Sequence, residues 1–226
     1  MKYIIDQKES KLFRKLHSYN MQIYLSLYTN PRKVLEIGVG EGFVSHVLKK
    51  YCEIKTADID PNLNPDIILD ISELEQFKQF KDNEYDLIII CEVLEHVSFN
   101  LFESILKSLK RITKKYVLIS LPNQNHFLNL VLFKRGFDKP IFYPLNYLLR
   151  CSLHLFNKLG KLICQVHYKI KKRILKFKKQ NEHYWEIGID KYSEDLIRNK
   201  IKNHFRIEKE IRLRQNTYHH FYLLKK

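Results

Sequence analysis

The run Val34-Leu35-Glu36-Ile37-Gly38-Val39-Gly40-Glu41-Gly42 places three glycines at alternate positions directly behind a short apolar stretch. A helix-like stretch over 43–50 follows at once. This layout suits a loop that turns sharply and brings its backbone close to a nucleotide-type ligand. Glycine fits such a loop because it lacks a Cβ and tolerates positive φ. The helix start behind the loop offers unpaired N–H groups to the ligand.

The segments around the loop alternate in period. Leu12, Leu16, Tyr19, Ile23 and Leu27 recur at helical spacing over 9–28, and Asn30-Pro31 ends that run. Strands are predicted at 33–37, 53–57, 66–69, 85–91 and 116–121, with a helix over 99–112 before the last of them. The 85–91 stretch is almost wholly apolar, as a strand buried on both faces should be. A helix over 193–203 with Ser193 as its cap, and strands at 206–213 and 218–224, complete the pattern. The βαβαβ order implies a doubly wound, mostly parallel sheet of about seven strands, closed by a C-terminal antiparallel hairpin on its edge. The 226 residues and 45% hydrophobic content suffice for one domain spanning 1–226 with an insertion at 125–181.

The charge is uneven. The net charge is +15, and 125–181 holds 13 Lys/Arg against the single acid Asp138, which is +12 of it. The basic excess thus belongs to the insertion. Its second half has Leu148, Leu155, Leu159, Leu162, Val166, Ile170, Ile174 and Phe177 at helical spacings with lysines between them, the pattern of a basic amphipathic helix, single or broken near Gly160. Three readings stand for it: a helical lid, a peripheral membrane contact through 145–179, or a polyanion contact. No RNA-binding module is visible, which disfavours nucleic acid. The four cysteines form no CxxC pair or ligand spacing, so no structural metal is expected and thiols in a cytoplasmic protein are the default, with the inner membrane face as a peripheral location. The uncharged run 116–133 is broken by Pro122-Asn123-Gln124-Asn125-His126 and does not read as a membrane span.

In an open parallel sheet, ligands sit beyond the C-terminal strand ends where strand order reverses. Those ends carry Glu36 and the glycines, then Asp58-Ile59, Asp70-Ile71 and Cys91-Glu92. A carboxylate at Asp58 suits ribose hydroxyls, and Asp70 suits an exocyclic amine. The stretch 34–123 resembles a class I S-adenosylmethionine-dependent methyltransferase of the small-molecule, type 11-like group. The resemblance rests on Glu36-Ile37-Gly38-Val39-Gly40-Glu41-Gly42, on Asp58, and on Cys91-Glu92-Val93-Leu94-Glu95-His96. Ile119-Ser120-Leu121-Pro122-Asn123, the segment 182–188 and Tyr218-His219-His220-Phe221-Tyr222 extend it. It implies S-adenosylmethionine as cofactor, bound by Glu36, Gly38, Gly40, Gly42, Asp58, Ile59, Asp70, Ile71, Cys91 and Glu92. A dinucleotide fingerprint would need a small residue where Phe43 stands.

An oxygen or nitrogen acceptor can also need a base. His96, His183, Glu186 and His219 are the candidates, with His183 and Glu186 favoured because a polar-aromatic loop returning to a sheet is a usual place for substrate contacts. His219 and His220 lie on a strand and face opposite sides, which argues against a shared metal. The expected function is methyl transfer to a small-molecule, glycan or lipid-precursor acceptor, with oxygen suggested by family analogy. The alternatives are an RNA or protein methyltransferase, or a non-catalytic protein of the same fold. Oligomeric state is not legible.

Overall fold

A parallel sheet whose central strands are apolar on both faces needs cover on both, and the computed structural model shows how the chain supplies it. It describes residues 7–124, 183–212 and 218–226. The helix α1 (Gln7–Tyr28) precedes β1 (Lys33–Ile37), α2 (Phe43–Leu48), β2 (Glu53–Asp58), β3 (Ile67–Ile68) and β4 (Tyr85–Cys91). Then come α3 (Phe102–Ile112), β5 (Thr113–Pro122), α4 (Glu194–Lys202), β6 (Arg206–Arg212) and β7 (His219–Lys225). The sheet order is β3-β2-β1-β4-β5-β7-β6, with the first five strands parallel and β7 antiparallel to both neighbours.

Strand β4 explains its own composition. Ile88 and Ile90 point into the core under α3 and α4, while Leu87 and Ile89 point into the core under α1 and α2. Successive side chains of a strand face opposite sides, so a central strand covered twice needs apolar residues at every position. Strand β5 repeats this, with Val117 and Ile119 on one side and Tyr116 and Leu118 on the other. The crossovers from β1 run outward to β2 and β3, and the chain then returns to β4. The point of reversal lies between β1 and β4, so the glycine loop and Cys91-Glu92 meet at one crevice.

The predicted elements are present, with local differences. Strand β3 is a two-residue remnant, because Asp66 turns its carboxylate back to Thr56 N and Oγ1, both at 2.8 Å. The 99–112 helix begins as a 3₁₀ turn, Phe99–Leu101. Ser193 caps α4, its Oγ accepting from Leu196 N at 3.1 Å. The face of α1 is a correction. Leu12 and Leu16, expected inward, are 59% and 39% exposed, and the buried positions among the helix's described side chains are Ser18, Gln22, Leu25 and Ser26. Helical periodicity picks out apolar residues, but this helix turns Ser18 and Gln22 toward a cavity. The insertion at 125–181 and the 145–179 segment lie outside the described residues. Among the described residues, no helix is long and apolar enough to cross a membrane.

The segment after the insertion is latched by three bonds. Tyr184 N donates to Glu95 O at 2.8 Å, Ile187 N to Pro122 O at 3.0 Å, and the Trp185 indole N–H to Val97 O at 3.1 Å. The Trp185 ring is buried among Phe99, Phe102 and Tyr192, with centroids 4.9, 5.3 and 6.0 Å away. Trp185→Ala is therefore expected to destabilise the protein by about 3–5 kcal/mol, measured as a drop in the denaturant midpoint.

Candidate functional site

The glycine loop is built by a close approach and a latch. Gly38 adopts φ +86°, and a Cβ there would lie 2.2 Å from Val93 Cγ2. The loop can pass under the β4 end only without a side chain. Gly38 N donates to Ala57 O at 2.8 Å, continuing the sheet by one residue. Asp58 then fastens the loop: its Oδ2 accepts from Val39 N at 2.8 Å and its Oδ1 from Asp60 N at 3.0 Å. Gly40, at φ +54°, faces open space, with nothing within 4 Å of a Cβ built on it.

That space belongs to a cavity of about 720 Å³ over the strand ends. Gly38, Gly40, Asp58 and Ile59 line one part of it, and Asp70, Ile71, Cys91 and Glu92 another. Glu36 lines its floor. Gly42 does not line it; it precedes α2, at φ +69°. Asp70 is already engaged at one oxygen, with Oδ1 accepting from Ser72 N and Oγ at 2.8 and 2.7 Å. The resulting tight turn aims the strand end at the cavity.

Residues missed by sequence reading complete the wall. Ser18, Tyr19, Gln22 and Lys15 of α1 line the cavity, as do Ser72 and Tyr184. The helix is held over the glycine loop by Lys15 to Glu41, by Tyr19 OH to Glu41 Oε2 at 3.4 Å, and by the Tyr19–Phe43 ring stack at 5.3 Å. Polar residues on a helix face were the available signal.

At the far end stand the imidazoles. His96 and His219 line the cavity, while His183 and Glu186 do not. His183 lies behind His96, ring centroids 4.7 Å apart, with Nδ1 2.8 Å from Glu186 Oε1. His219 Nδ1 is 2.9 Å from Glu92 Oε1 without hydrogen-bond geometry, and that oxygen accepts from Ser120 Oγ at 2.7 Å. Glu92 holds this position at φ +57°, an uncommon conformation for a side-chain-bearing residue and one that marks sites where geometry is over-determined. His220 faces the other way, against Asn123 and Glu210.

Glu36 is 3% exposed, and its Oε2 is buried without a hydrogen-bond partner. Burial pushes its carboxyl up to about 7, opposed by hydrogen bonds from Ser45. The folded protein thus holds this proton more tightly than the unfolded chain. Stability from Glu36 is full below the unfolded value near 4.5 and is lost as pH rises through about 7. The loss is of order 3 kcal/mol. Glu36→Gln is expected to remove that slope, read as the pH dependence of the unfolding free energy of variant against parent.

The strand-end cavity, the reversal point and the glycine cradle define a Rossmann-like methyltransferase fold. A family model described as a methyltransferase domain matches residues 10–185, and the chain belongs to that family. It is an S-adenosylmethionine-dependent methyltransferase. Solved structures share the fold. One is a SAM-dependent methyltransferase from Archaeoglobus fulgidus, at 15% identity and TM-score 0.56, covering 94% of both chains. Another is a magnesium protoporphyrin IX methyltransferase from Synechocystis with bound SAH, at 11% identity and TM-score 0.60, covering 100% of this chain and 90% of that one. A third is the N-methyltransferase NodS from Bradyrhizobium japonicum with SAH, at 11% identity and TM-score 0.55, covering 94% and 87%. No curated protein matches the chain.

The residues present fit the methyl donor. Gly40 leaves the space that a side chain would fill, the unpartnered Glu36 Oε2 suits a cationic group, and Asp58 retains lone pairs beyond its two backbone bonds.

Proposed function

We propose that the protein methylates a hydroxyl of a small-molecule, glycan or lipid-precursor acceptor, which enters at the His96–His219 end of the cavity. One cavity runs from the glycine loop, Asp58 and Asp70 to His96, Tyr184 and His219, and this continuity carries the reading. The bound donor supplies a methyl group already activated on a sulfonium, so the protein's share is alignment and proton removal.

Gly38, Gly40, Glu36, Asp58 and Asp70 hold the donor. His219 takes the acceptor proton: the Glu92 carboxylate, with Oε1 2.9 Å from Nδ1, stabilises the imidazolium that forms. Ser120 fixes Glu92 in turn. Tyr184 and His96 shape the acceptor side. Among the earlier candidates, His183 and Glu186 act from behind His96 and do not face the cavity.

The experiment is calorimetry with S-adenosylhomocysteine followed by an acceptor screen with labelled donor. His219→Ala should lower kcat by about 10²–10⁴-fold while product affinity stays within about threefold of the parent, the shift of a few tenths of a kcal/mol usual for a site away from the change. A parent protein that does not bind S-adenosylhomocysteine would sink the reading. Unchanged kcat in His219→Ala would remove His219 from its role.

A further inference from the structure

Glu95 presents a physical problem that the methyltransferase reading does not use. Its side chain is fully buried, and neither carboxylate oxygen has a hydrogen-bond partner. An ionised carboxylate in such a place lacks compensation, and a protonated one still leaves its O–H without an acceptor. Glu92 and Glu186 place further negative charge near it. Buried acids collected without a cation are costly.

Two imidazoles stand beside it. One ligand atom from each of Glu95, His96 and His183 lies within 4.8 Å of the others. Ligands tetrahedrally placed at about 2.1 Å from an ion are about 3.4 Å apart, so contraction by rotamer adjustment closes the set. The arrangement crosses 87 residues of sequence and is enforced by the backbone. Tyr184 N donates to the carbonyl of Glu95 itself at 2.8 Å, and the Trp185 indole to Val97 O at 3.1 Å, which pins the His183 segment onto the Glu95-His96 turn. Glu186 Oε1 takes His183 Nδ1 at 2.8 Å. A carboxylate behind a ligating histidine sets its ring and raises its basicity.

We propose that Glu95, His96 and His183 bind one divalent first-row transition ion at the acceptor end of the cavity, with Glu186 positioning His183. Two imidazoles and one carboxylate select such an ion over magnesium or calcium. His96 lines the cavity, so an ion held there reaches the acceptor hydroxyl and makes it more acidic. This role rests on the proposed function, whereas ion binding does not. The sequence-based expectation of no metal came from cysteine and ligand spacing along the chain, which does not weigh a set split across the insertion.

A second group, Glu194, Glu210 and His220, has comparable spacing. There the Arg198 guanidinium already neutralises the acids, reaching Glu210 Oε1 at 2.8 Å and Glu194 Oε1 at 3.1 Å. It serves as an internal control.

The test uses the full chain, stripped by chelator and titrated with Co²⁺ by calorimetry and visible absorption. One ion per chain is expected, with absorption bands of a low-coordinate site. Glu95→Gln, His96→Ala and His183→Ala should each weaken binding by more than about 100-fold, and Glu186→Gln by about 10-fold or more. Glu210→Gln should leave it unchanged. Circular dichroism and S-adenosylhomocysteine affinity report whether each variant is folded. No saturable Co²⁺ binding, or binding equal in parent and in folded Glu95→Gln and His183→Ala, would overturn the inference. Ion binding with no S-adenosylhomocysteine binding would instead overturn the proposed function and leave the ion site standing.

Discussion

Gly38→Ala is expected to destabilise the protein by about 2–5 kcal/mol and to eliminate donor binding. Two costs add. An L-residue at φ +86° pays about 1–2 kcal/mol. A methyl group 2.2 Å from Val93 Cγ2 must displace it, and overpacking costs about 1–3 kcal/mol. Valine is stiff about χ1, and the loop cannot retreat because Gly38 N is bonded to Ala57 O and Val39 N to Asp58. Adding Val93→Ala should recover the steric part and leave the backbone part, which a double-mutant cycle on the denaturant midpoint separates. Gly40→Ala should behave differently. Its Cβ meets nothing, so the cost in stability is the backbone strain alone, but the methyl group projects into the cavity proposed for the donor. A Gly40→Ala protein that binds S-adenosylhomocysteine like the parent would argue against the cradle.

Asp58→Ala should cost about 1–3 kcal/mol in stability and at least about 30-fold in S-adenosylhomocysteine affinity. One carboxylate holds two backbone donors, Val39 N of the glycine loop and Asp60 N of its own turn. These are charge-assisted bonds, and their loss frees the loop tip while removing the acceptor proposed for the ribose. Asp58→Asn keeps an oxygen for one donor and turns an amide N–H₂ toward the other. It should fold better than Asp58→Ala yet bind no better. Thermal midpoints set against calorimetric affinities show whether the latch and the ligand contact separate in this way.

Much of this geometry was legible in the chain, for identifiable reasons. Strand β4 could be placed because a doubly covered strand needs every position apolar. The loop could be placed because alternating glycines directly behind a strand have few other uses. Asp58, Asp70 and Cys91-Glu92 followed, since parallel strands bring their C-terminal ends to one edge. Other parts were not legible. The wall contributed by α1 is polar, so Ser18 and Gln22 carried no hydrophobic signal, while Leu12 and Leu16 carried a misleading one. Gly42 shares the loop's pattern but starts α2 outside the cavity. His219 was one candidate among four until β7 paired with β5, setting Pro122 opposite His219 and bringing Glu92 within 2.9 Å of its ring.

The division follows the range of the forces. Local periodicity, turn residues and the glycine spacing are properties of neighbours along the chain, and they determined the strands, the glycine loop and the doubly wound order without reference to anything distant. Which groups face one another across the crevice depends on pairings between residues far apart in sequence. The Glu95–His96–His183 cluster, the Glu92–His219 pair and the helix over the glycine loop were decided only by the tertiary structure, because strand order and hydrogen bonds such as Tyr184 N to Glu95 O place side chains that no local pattern connects.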